Sequence, residues 1–157
     1  VKAEICRLEE GLFLDRKSAE LVDERAVEGF FRSDLYAALK KAQKVYREQR
    51  FLFELPAGEL TEDPERKEAL AEETGLVQGV IDCFFISKEG RVVLFDYKTD
   101  RFTAEEKKDK EHCRKVLAKR HKRQLGYYKA AVEGLLSRPV DEVLLYSFSL
   151  GETVTLF

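Results

Sequence analysis

The sequence lacks methionine and tryptophan altogether, and it contains only three cysteines and three prolines. The cysteines, Cys6, Cys83 and Cys113, lie too far apart in the chain to form a C-x-x-C metal knuckle. So few and such scattered thiols also exclude a disulfide framework and an iron–sulfur cluster held by four local cysteines.

Long apolar runs are absent as well, which excludes a transmembrane helix of about 20 apolar residues. Residues 1–4, Val-Lys-Ala-Glu, provide no signal-peptide core, so we expect a cytoplasmic location and no membrane partner. Because the chain has no methionine even at position 1, we expect it to be a piece of a longer polypeptide.

The chain has the length of one ordinary domain, since 157 residues are enough to bury a full core. Hydrophobic residues make up 44% of the sequence, a fraction too high for a disordered chain. The sequence contains no internal repeat and no convincing boundary. We therefore treat residues 1–157 as a single domain.

Charge is distributed unevenly along the chain, although the net charge is only −2. Residues 101–123 contain ten Lys or Arg against four Asp or Glu, a local charge of +6, so the other 134 residues carry −8. The densest part, called the basic stripe below, consists of Arg114, Lys115, Lys119, Arg120, Lys122 and Arg123. Such a stripe can bind phosphates, but a solvated helix face has the same composition, and charge alone does not decide between them.

Hydrophobic periodicity predicts the order helices, three strands, a long helix and two strands. Short helices are predicted within residues 18–42, with Ser18 as one N-cap and Ser33 or Asp34 as another. The acidic segment 56–73 is predicted to be a loop, with at most a helical turn. The remaining elements are predicted as strands 45–55, 76–86, 92–97, 143–150 and 153–157 and a helix over 104–136, with a break near Leu117 left open. This order is typical of an α/β fold with one mixed central sheet flanked by helices.

One Asp-x-Lys segment differs from the other acid-x-Lys pairs in its surroundings. The pattern occurs five times, and four copies lie in polar surroundings typical of surface charges. Only Asp96 and Lys98 end an apolar run long enough to be a buried strand. Because burying unpaired charges is expensive, this pair requires partners.

The loop between the two central strands fixes how they pair. Residues 88–90, Lys-Glu-Gly, fit a three-residue hairpin loop that ends in a left-handed glycine. The register that follows places Asp82 opposite Asp96, with Lys98 on the same face of the sheet. Opposed residues have Cβ atoms about 4.5–5.5 Å apart, so the two carboxylates repel unless something neutralises them.

Two interpretations of these charges stay open. A divalent cation can bind both carboxylates, because Mg²⁺ is held by one or two carboxylates together with water and substrate phosphate. Alternatively, Asp82 and Lys98 form a salt bridge within the hairpin. Gly79 favours a binding site, because a glycine inside a strand often marks the close approach of another backbone or a ligand.

The helix that follows carries a further pair of polar side chains. Gln124 and Tyr128 are four residues apart, so they share one helix face and can reach one site together. The alternative is that Tyr128 belongs to the core and Gln124 to the surface. His112 and His121 are nine residues apart and lie on different faces, so we expect both to be solvated rather than to bind a metal.

Three motifs, in this order, resemble a known family. They are Gln78-Gly79-Val80-Ile81-Asp82, then Asp96-Tyr97-Lys98-Thr99-Asp100, then Gln124-Leu125 with Tyr128. Together they resemble the RecB-type nuclease domain of the PD-(D/E)XK superfamily, and in particular the C-terminal nuclease domain of AddA-type helicase–nucleases. The resemblance covers residues 18–157.

The resemblance implies a restriction-endonuclease-like core with its site on the central hairpin. Asp82 and Asp96 would be ligands of Mg²⁺, for which Mn²⁺ can substitute, and the backbone carbonyl of Tyr97 would be a third ligand. Lys98 would orient the attacking water or assist its deprotonation. Asp82, Asp96 and Lys98 are thus the expected catalytic residues.

The resemblance also implies partners. The substrate would be DNA, expected to be single-stranded and cut by an exonuclease, with the helicase portion of the same polypeptide and an AddB-like partner protein nearby. Gln124 and Tyr128 would brace the site or touch DNA. The phosphate contacts would come from Lys119, Arg120, Lys122 and Arg123.

This sequence departs from the family at one position. The family places another metal ligand, a His or Glu, on a helix upstream of the strands, and this chain has no histidine there. Glu20, Glu24 and Glu28 match no motif, and Glu48 fits only a strand position. We expect the missing ligand to lie upstream of this chain, which would then cleave slowly by itself. The alternative function is a catalytically silent DNA-binding or interaction domain that retains the fold.

Overall fold

The β-branched and aromatic segments form a five-stranded sheet in a computed structural model that describes all 157 residues. The strands are β1 (Lys44–Pro56), β2 (Thr74–Ile86), β3 (Val92–Lys98), β4 (Glu142–Ser147) and β5 (Glu152–Thr155). They lie in chain order across the sheet. The β3–β4 pair is parallel and every other neighbouring pair is antiparallel, so the sheet is mixed.

Helices flank this sheet. They are α1 (Lys2–Glu10), α2 (Arg16–Glu20), α3 (Glu24–Phe31), α4 (Asp34–Lys41), α5 (Pro64–Ala69) and α6 (Lys110–Leu136). Parallel neighbours need a long crossover connection, and the 27-residue α6 supplies the one between β3 and β4. No helix combines the length and apolar character that crossing a membrane requires.

The central strand β3 is buried on both faces of the sheet. One hydrophobic cluster joins α6 to the strands and includes Phe84 and Leu117. The other joins α3 and α4 to the opposite face and includes Phe30, Leu39 and Phe95. The continuous apolar run of β3 is what burial on both faces requires. The predicted α/β fold with a mixed central sheet is confirmed, and it is consistent with a restriction-endonuclease-like core.

The predicted helix starts are correct at one position and wrong at another. Ser33 caps α4, because its hydroxyl accepts the Tyr36 N–H at 3.2 Å. Ser18 is not a cap but lies inside α2, where its own N–H donates to the Asp15 carboxylate at 3.0 Å. A carboxylate three residues upstream therefore takes the capping role.

Other boundaries differ from the prediction as well. The helix α6 runs unbroken through the buried Leu117, so there is no break at that residue. It begins after its N-cap Asp109, later than the predicted start at residue 104. The acidic segment 56–73 contains α5, whose N-cap is Asp63. Strand β4 ends at Ser147, because the chain turns back through Gly151 with a φ of 64°. The N-terminal α1 was not predicted, and it buries none of its residues.

Candidate active site

The turn between β2 and β3 sets the register that the sequence predicts. The Ser87–Arg91 turn is closed by a backbone hydrogen bond of 2.8 Å, and its glycine has a left-handed φ of 84°. The β2–β3 pairs end at Cys83 and Phe95, one position short of Asp82 and Asp96. The predicted register is therefore confirmed, and the two acids lie where the strands begin to separate.

Strand β2 changes phase at this point. Ile81 and Phe84 are three residues apart, yet both belong to the cluster on the α6 face, whereas strict alternation would place them on opposite faces. On β1, Glu48 lies between the pairs that flank Asp82 and has a left-handed φ of 50°, which is uncommon for a non-glycine residue. Both β1 and β2 are therefore irregular at Glu48 and Asp82, and the pairing of β2 with β3 ends at the same place.

The Asp82 carboxylate fills the opening between β2 and β3. Its Oδ2 accepts the backbone N–H of Tyr97 at 3.0 Å. In an unbroken antiparallel ladder a carbonyl of β2 would accept this N–H. The side chain therefore replaces a backbone acceptor, and it lies close enough to interact with the Asp96 carboxyl.

Asp96 is a buried acid, with 2% of its surface exposed. The Lys98 Nζ lies 2.5 Å from Asp96 Oδ2, but this ion pair lacks hydrogen-bond geometry, and that oxygen has no hydrogen-bond partner. Burial raises the pKa of Asp96, the Lys98 ammonium lowers it, and the neighbouring Asp82 raises it further, with an upward net result. The surroundings therefore disfavour the ionised form of Asp96 beside an ionised Asp82, and further positive charge near the two carboxylates would favour it.

Helix α6 fixes Lys98 from the other side. Its Nζ donates to Gln124 Oε1 at 2.8 Å, and Gln124 Nε2 donates to the Tyr128 hydroxyl at 2.8 Å. Gln124 and Tyr128 therefore share one face and act together, although Tyr128 is also part of the core. The alternative salt bridge between Asp82 and Lys98 does not form, because Lys98 pairs with Asp96 instead.

Gly79 is approached closely by an aromatic side chain of the neighbouring strand. It pairs with Phe51 of β1, and a Cβ at Gly79 would lie 2.9 Å from the Phe51 ring and 3.7 Å from the Tyr128 ring. The missing side chain therefore lets the Phe51 ring lie across β2 and meet Tyr128 edge-on at 5.5 Å.

Asp82 and Asp96 are suited to a divalent cation. Carboxylate oxygens are ligands that Mg²⁺ prefers, and the two acids together carry more negative charge than the single Lys98 beside Asp96 balances. No group of three or more His, Cys, Asp or Glu side chains is placed to hold a metal. A third ligand would have to come from elsewhere, and the Tyr97 carbonyl stays a prediction.

The upstream acids do not join this pair. Glu20 and Glu28 form surface ion pairs with arginines four residues away in the chain, and Glu24 begins α3. Glu48 lies across from Asp82, but its side chain is exposed and forms no hydrogen bond or ion pair. The structure therefore identifies no residue as the missing ligand.

Most of the basic stripe is paired with acids of the same chain. Four of its members have such partners: Arg114 with Glu152, Lys115 with Glu111, Arg120 with Asp100 and Arg123 with Glu62. Lys119 and Lys122 form no ion pair, although Lys122 lies 5.5 Å from the centre of the Phe157 ring. These two lysines are therefore the most available for phosphate.

A polar cluster that the sequence reasoning missed lies just beyond Lys98. The Asp100 carboxylate binds Arg120, and its Oδ2 is hydrogen-bonded to His121 Nε2 at 2.8 Å. The side chains of Asp100 and His121 are only 12% and 15% exposed, so the expectation of a solvated His121 is wrong, whereas His112 is exposed as expected. The only signal in the sequence was the position of Asp100 at the end of the second motif.

Comparison with known proteins places this geometry in context, although no family model matches the chain. The chain is similar to the AddA-type ATP-dependent helicase/nuclease subunit of Geobacillus thermodenitrificans, with 40% identity over 94% of this chain and 12% of that protein. The corresponding protein of Geobacillus kaustophilus is 38% identical over 98% of this chain and 12% of its own length. The corresponding protein of Clostridium novyi is 36% identical over 87% of this chain and 10% of its own length. Over most of its length the chain is therefore homologous to a small segment of bacterial AddA-type helicase/nuclease proteins.

Proposed function

We propose that this chain is a metal-dependent DNA nuclease domain that hydrolyses phosphodiester bonds. The observation that carries the proposal is the meeting of Asp82, Asp96 and Lys98 at the point where β2 and β3 separate. Keeping two acids and a lysine there costs desolvation energy, and such clusters of perturbed groups concentrate at functional sites. The similarity to proteins named helicase/nuclease supports the same activity.

The proposed cofactor is Mg²⁺, with Mn²⁺ as a substitute, held by Asp82, Asp96 and the Tyr97 carbonyl. When bound, such a cation polarises a phosphoryl oxygen and makes a water molecule more acidic. The buried Asp96 carboxylate supports this assignment, because Lys98 is the only cation paired with it. A bound cation would also lower the pKa of Asp96, which burial raises, and so favour the ionised carboxylate.

Lys98 contributes a cation held in a defined position. Asp96 lies on one side of its ammonium group, and Gln124 accepts a hydrogen bond from the other side. From there Lys98 orients the attacking water or assists its deprotonation, and it stabilises negative charge that develops on the phosphate. Gln124 and Tyr128 are positioning residues, since they act through Lys98.

The wider context of the proposal comes from the relatives. We propose that the chain works as the C-terminal nuclease part of a cytoplasmic helicase–nuclease that takes part in double-strand-break repair and recombination. Its helicase portion would deliver single-stranded DNA, and an AddB-like protein would be the partner. The chain corresponds to 12% or less of the relatives described above, so these functions belong to the larger assembly.

The metal site is tested by titrating Mg²⁺ or Mn²⁺ into the wild type and Asp96→Ala by calorimetry, in parallel with cleavage of labelled single-stranded DNA. We expect Asp96→Ala to lose both the binding heat and the cleavage, because half of the carboxylate pair is gone. Glu111→Gln is the control, since Glu111 contacts only the exposed Lys115. Equal binding heats in wild type and Asp96→Ala would contradict a shared site.

A second candidate is a catalytically silent DNA-binding or interaction domain with the same fold. One observation favours it, since no third acidic, histidine or cysteine side chain completes a metal site with Asp82 and Asp96. Measuring the binding of the same labelled DNA alongside its cleavage separates the two functions. Binding of DNA without any metal-dependent cleavage would favour the silent domain.

A further inference from the structure

A cavity of about 340 Å³ opens beside the proposed catalytic residues, between α6 and the part of the β1–β2 pair that extends beyond β3. Its apolar wall contains the rings of Phe51, Tyr127 and Tyr128. Polar side chains of Gln78 and Arg123 also line it. The proposed chemistry of Asp82, Asp96 and Lys98 makes no use of this space.

The aromatic wall is held in place by its neighbours. The ring centre of Phe51 lies 5.5 Å from that of Tyr128, which it meets edge-on, and 5.8 Å from that of Phe53, on which it stacks. The ring centre of Phe53 lies 6.5 Å from that of Tyr127. At Gly79 the absence of a side chain leaves room for the Phe51 ring. The rings thus form a preorganised surface that can contact a flat, apolar face.

The cavity is connected directly to the proposed catalytic site. Gln124 lines the cavity and also accepts the hydrogen bond from Lys98 at 2.8 Å. Lys98 in turn pairs with Asp96. A group bound in the cavity is therefore separated from the catalytic cluster by a single side chain.

The edges of the cavity offer hydrogen-bonding and positively charged groups. Gln78 is exposed, and its amide forms no hydrogen bond within the chain. Arg123 donates to the Tyr127 hydroxyl and to the Glu59 carbonyl, both at 3.1 Å, so its guanidinium is fixed at the rim. The unpaired Lys119 precedes it on the same helix, so the surroundings suit an anionic ligand with a flat ring.

We propose that this cavity binds an unpaired nucleobase of single-stranded DNA next to the phosphate that is cleaved. The inference rests on the proposed nuclease function and specifies how its substrate is held. A nucleobase combines an apolar face for stacking on aromatic rings with polar edges for amide groups, and its backbone is anionic. A base paired within a duplex cannot enter, so the cavity selects single strands.

Binding of an oligothymidylate of about 12 nucleotides, measured by fluorescence anisotropy in EDTA, tests the cavity without cleavage. The comparison ligand is an oligomer of the same length made of tetrahydrofuran abasic units, which keeps every phosphate and removes every base. Stacking of one base predicts that the wild type prefers the thymidylate by about 5- to 150-fold.

Tyr127→Ala should remove most of that preference, and Tyr127→Phe should retain it, because the ring rather than the hydroxyl stacks. Tyr127 is suitable for this test because it lies outside the hydrophobic core clusters. Phe31→Ala is the matched control, since Phe31 is an exposed aromatic residue on α3, which packs on the opposite face of the sheet. Quenching of 2-aminopurine in a bound oligomer gives a second readout that requires no variant.

The outcomes separate this inference from the nuclease proposal. Equal affinity of the wild type for the two oligomers, or no binding of either one, would overturn the base pocket. Retained preference in Tyr127→Ala together with unquenched 2-aminopurine would also overturn it. Base-dependent binding without Mg²⁺-dependent cleavage would support the base pocket and contradict only the proposed nuclease activity.

Discussion

The cluster around Asp100 should stabilise both the fold and the position of Lys98. Asp100 lies two residues after Lys98, and its partners Arg120 and His121 lie about one helical turn before Gln124. Two cross-links, Asp100 to His121 and Lys98 to Gln124, thus join the end of β3 to α6. Replacing Asp100 with alanine removes the first and leaves a largely buried histidine without its acceptor.

The expected loss of stability follows from the exposure of the two partners. The hydrogen bond to His121 involves a charged, largely buried carboxylate and contributes about 1.5–3 kcal/mol. The Arg120 side chain is 57% exposed, so that ion pair is screened by solvent and adds only about 0–1 kcal/mol. We expect Asp100→Ala to lower the free energy of unfolding by about 1.5–4 kcal/mol and, for a domain of this size, the melting temperature by about 3–16 °C.

Thermal melts followed by circular dichroism measure this effect, with Glu111→Gln as the control. Glu111 is also an acid paired with a base of α6, but both side chains are 75% exposed, so its loss should cost less than about 0.5 kcal/mol. Asp100→Asn keeps an acceptor for His121 and should fall between wild type and Asp100→Ala. Equal melting temperatures for Asp100→Ala and Glu111→Gln would refute the reasoning.

The pH dependence of this difference has a definite sign. Burial raises the pKa of Asp100, but the hydrogen bonds from Arg120 and His121 outweigh it, so the net pKa lies below the ordinary value. A carboxyl of this kind stabilises the fold above its unfolded pKa of about 3.9, and the contribution is lost as the pH falls through the native pKa. The gap between wild type and Asp100→Ala should therefore persist at neutral pH and narrow in acid.

Three further predictions concern other parts of the molecule. Lys98→Ala should reduce Mg²⁺-dependent cleavage of single-stranded DNA while calorimetry still detects metal binding, and unchanged turnover would remove its catalytic role. Changing Lys119 and Lys122 to glutamine should reduce the slope of log affinity against log salt by about 1.4, and a wild-type slope would leave them as ordinary surface charges. Glu133→Ala removes the acceptor of the Val140 N–H, 3.0 Å away, and should cost about 1–3 kcal/mol in urea unfolding, whereas an unchanged midpoint would show that water replaces it.

The register of the central hairpin could be predicted because its determinants are local. A glycine at the end of a short turn fixes the pairing of the strands, and the pairing then brings Asp82 beside Asp96. The shared face of Gln124 and Tyr128 could be predicted for the same reason, since helical spacing alone determines it.

The contacts of Lys98 and His121 could not be predicted, because they depend on tertiary packing. Lys98 was within reach of either acid, and its hydrogen bond to Gln124, 26 residues further along the chain, depends on where α6 docks on the sheet. His121 meets Asp100 across 21 residues, and that contact depends on where α6 docks on the sheet. Neither determinant is visible in the spacing of residues.

The order of the elements along the chain also has a consequence for folding kinetics. The contact between Asp82 and the Tyr97 N–H spans 15 residues within one hairpin, whereas the bond from Lys98 to Gln124 spans 26 and requires docking of α6. Short-range contacts close at a lower cost in chain entropy, and strand pairing across a long crossover is slow. We therefore expect the two carboxylates to come together early in folding and the lysine to be fixed in place only when the helix docks.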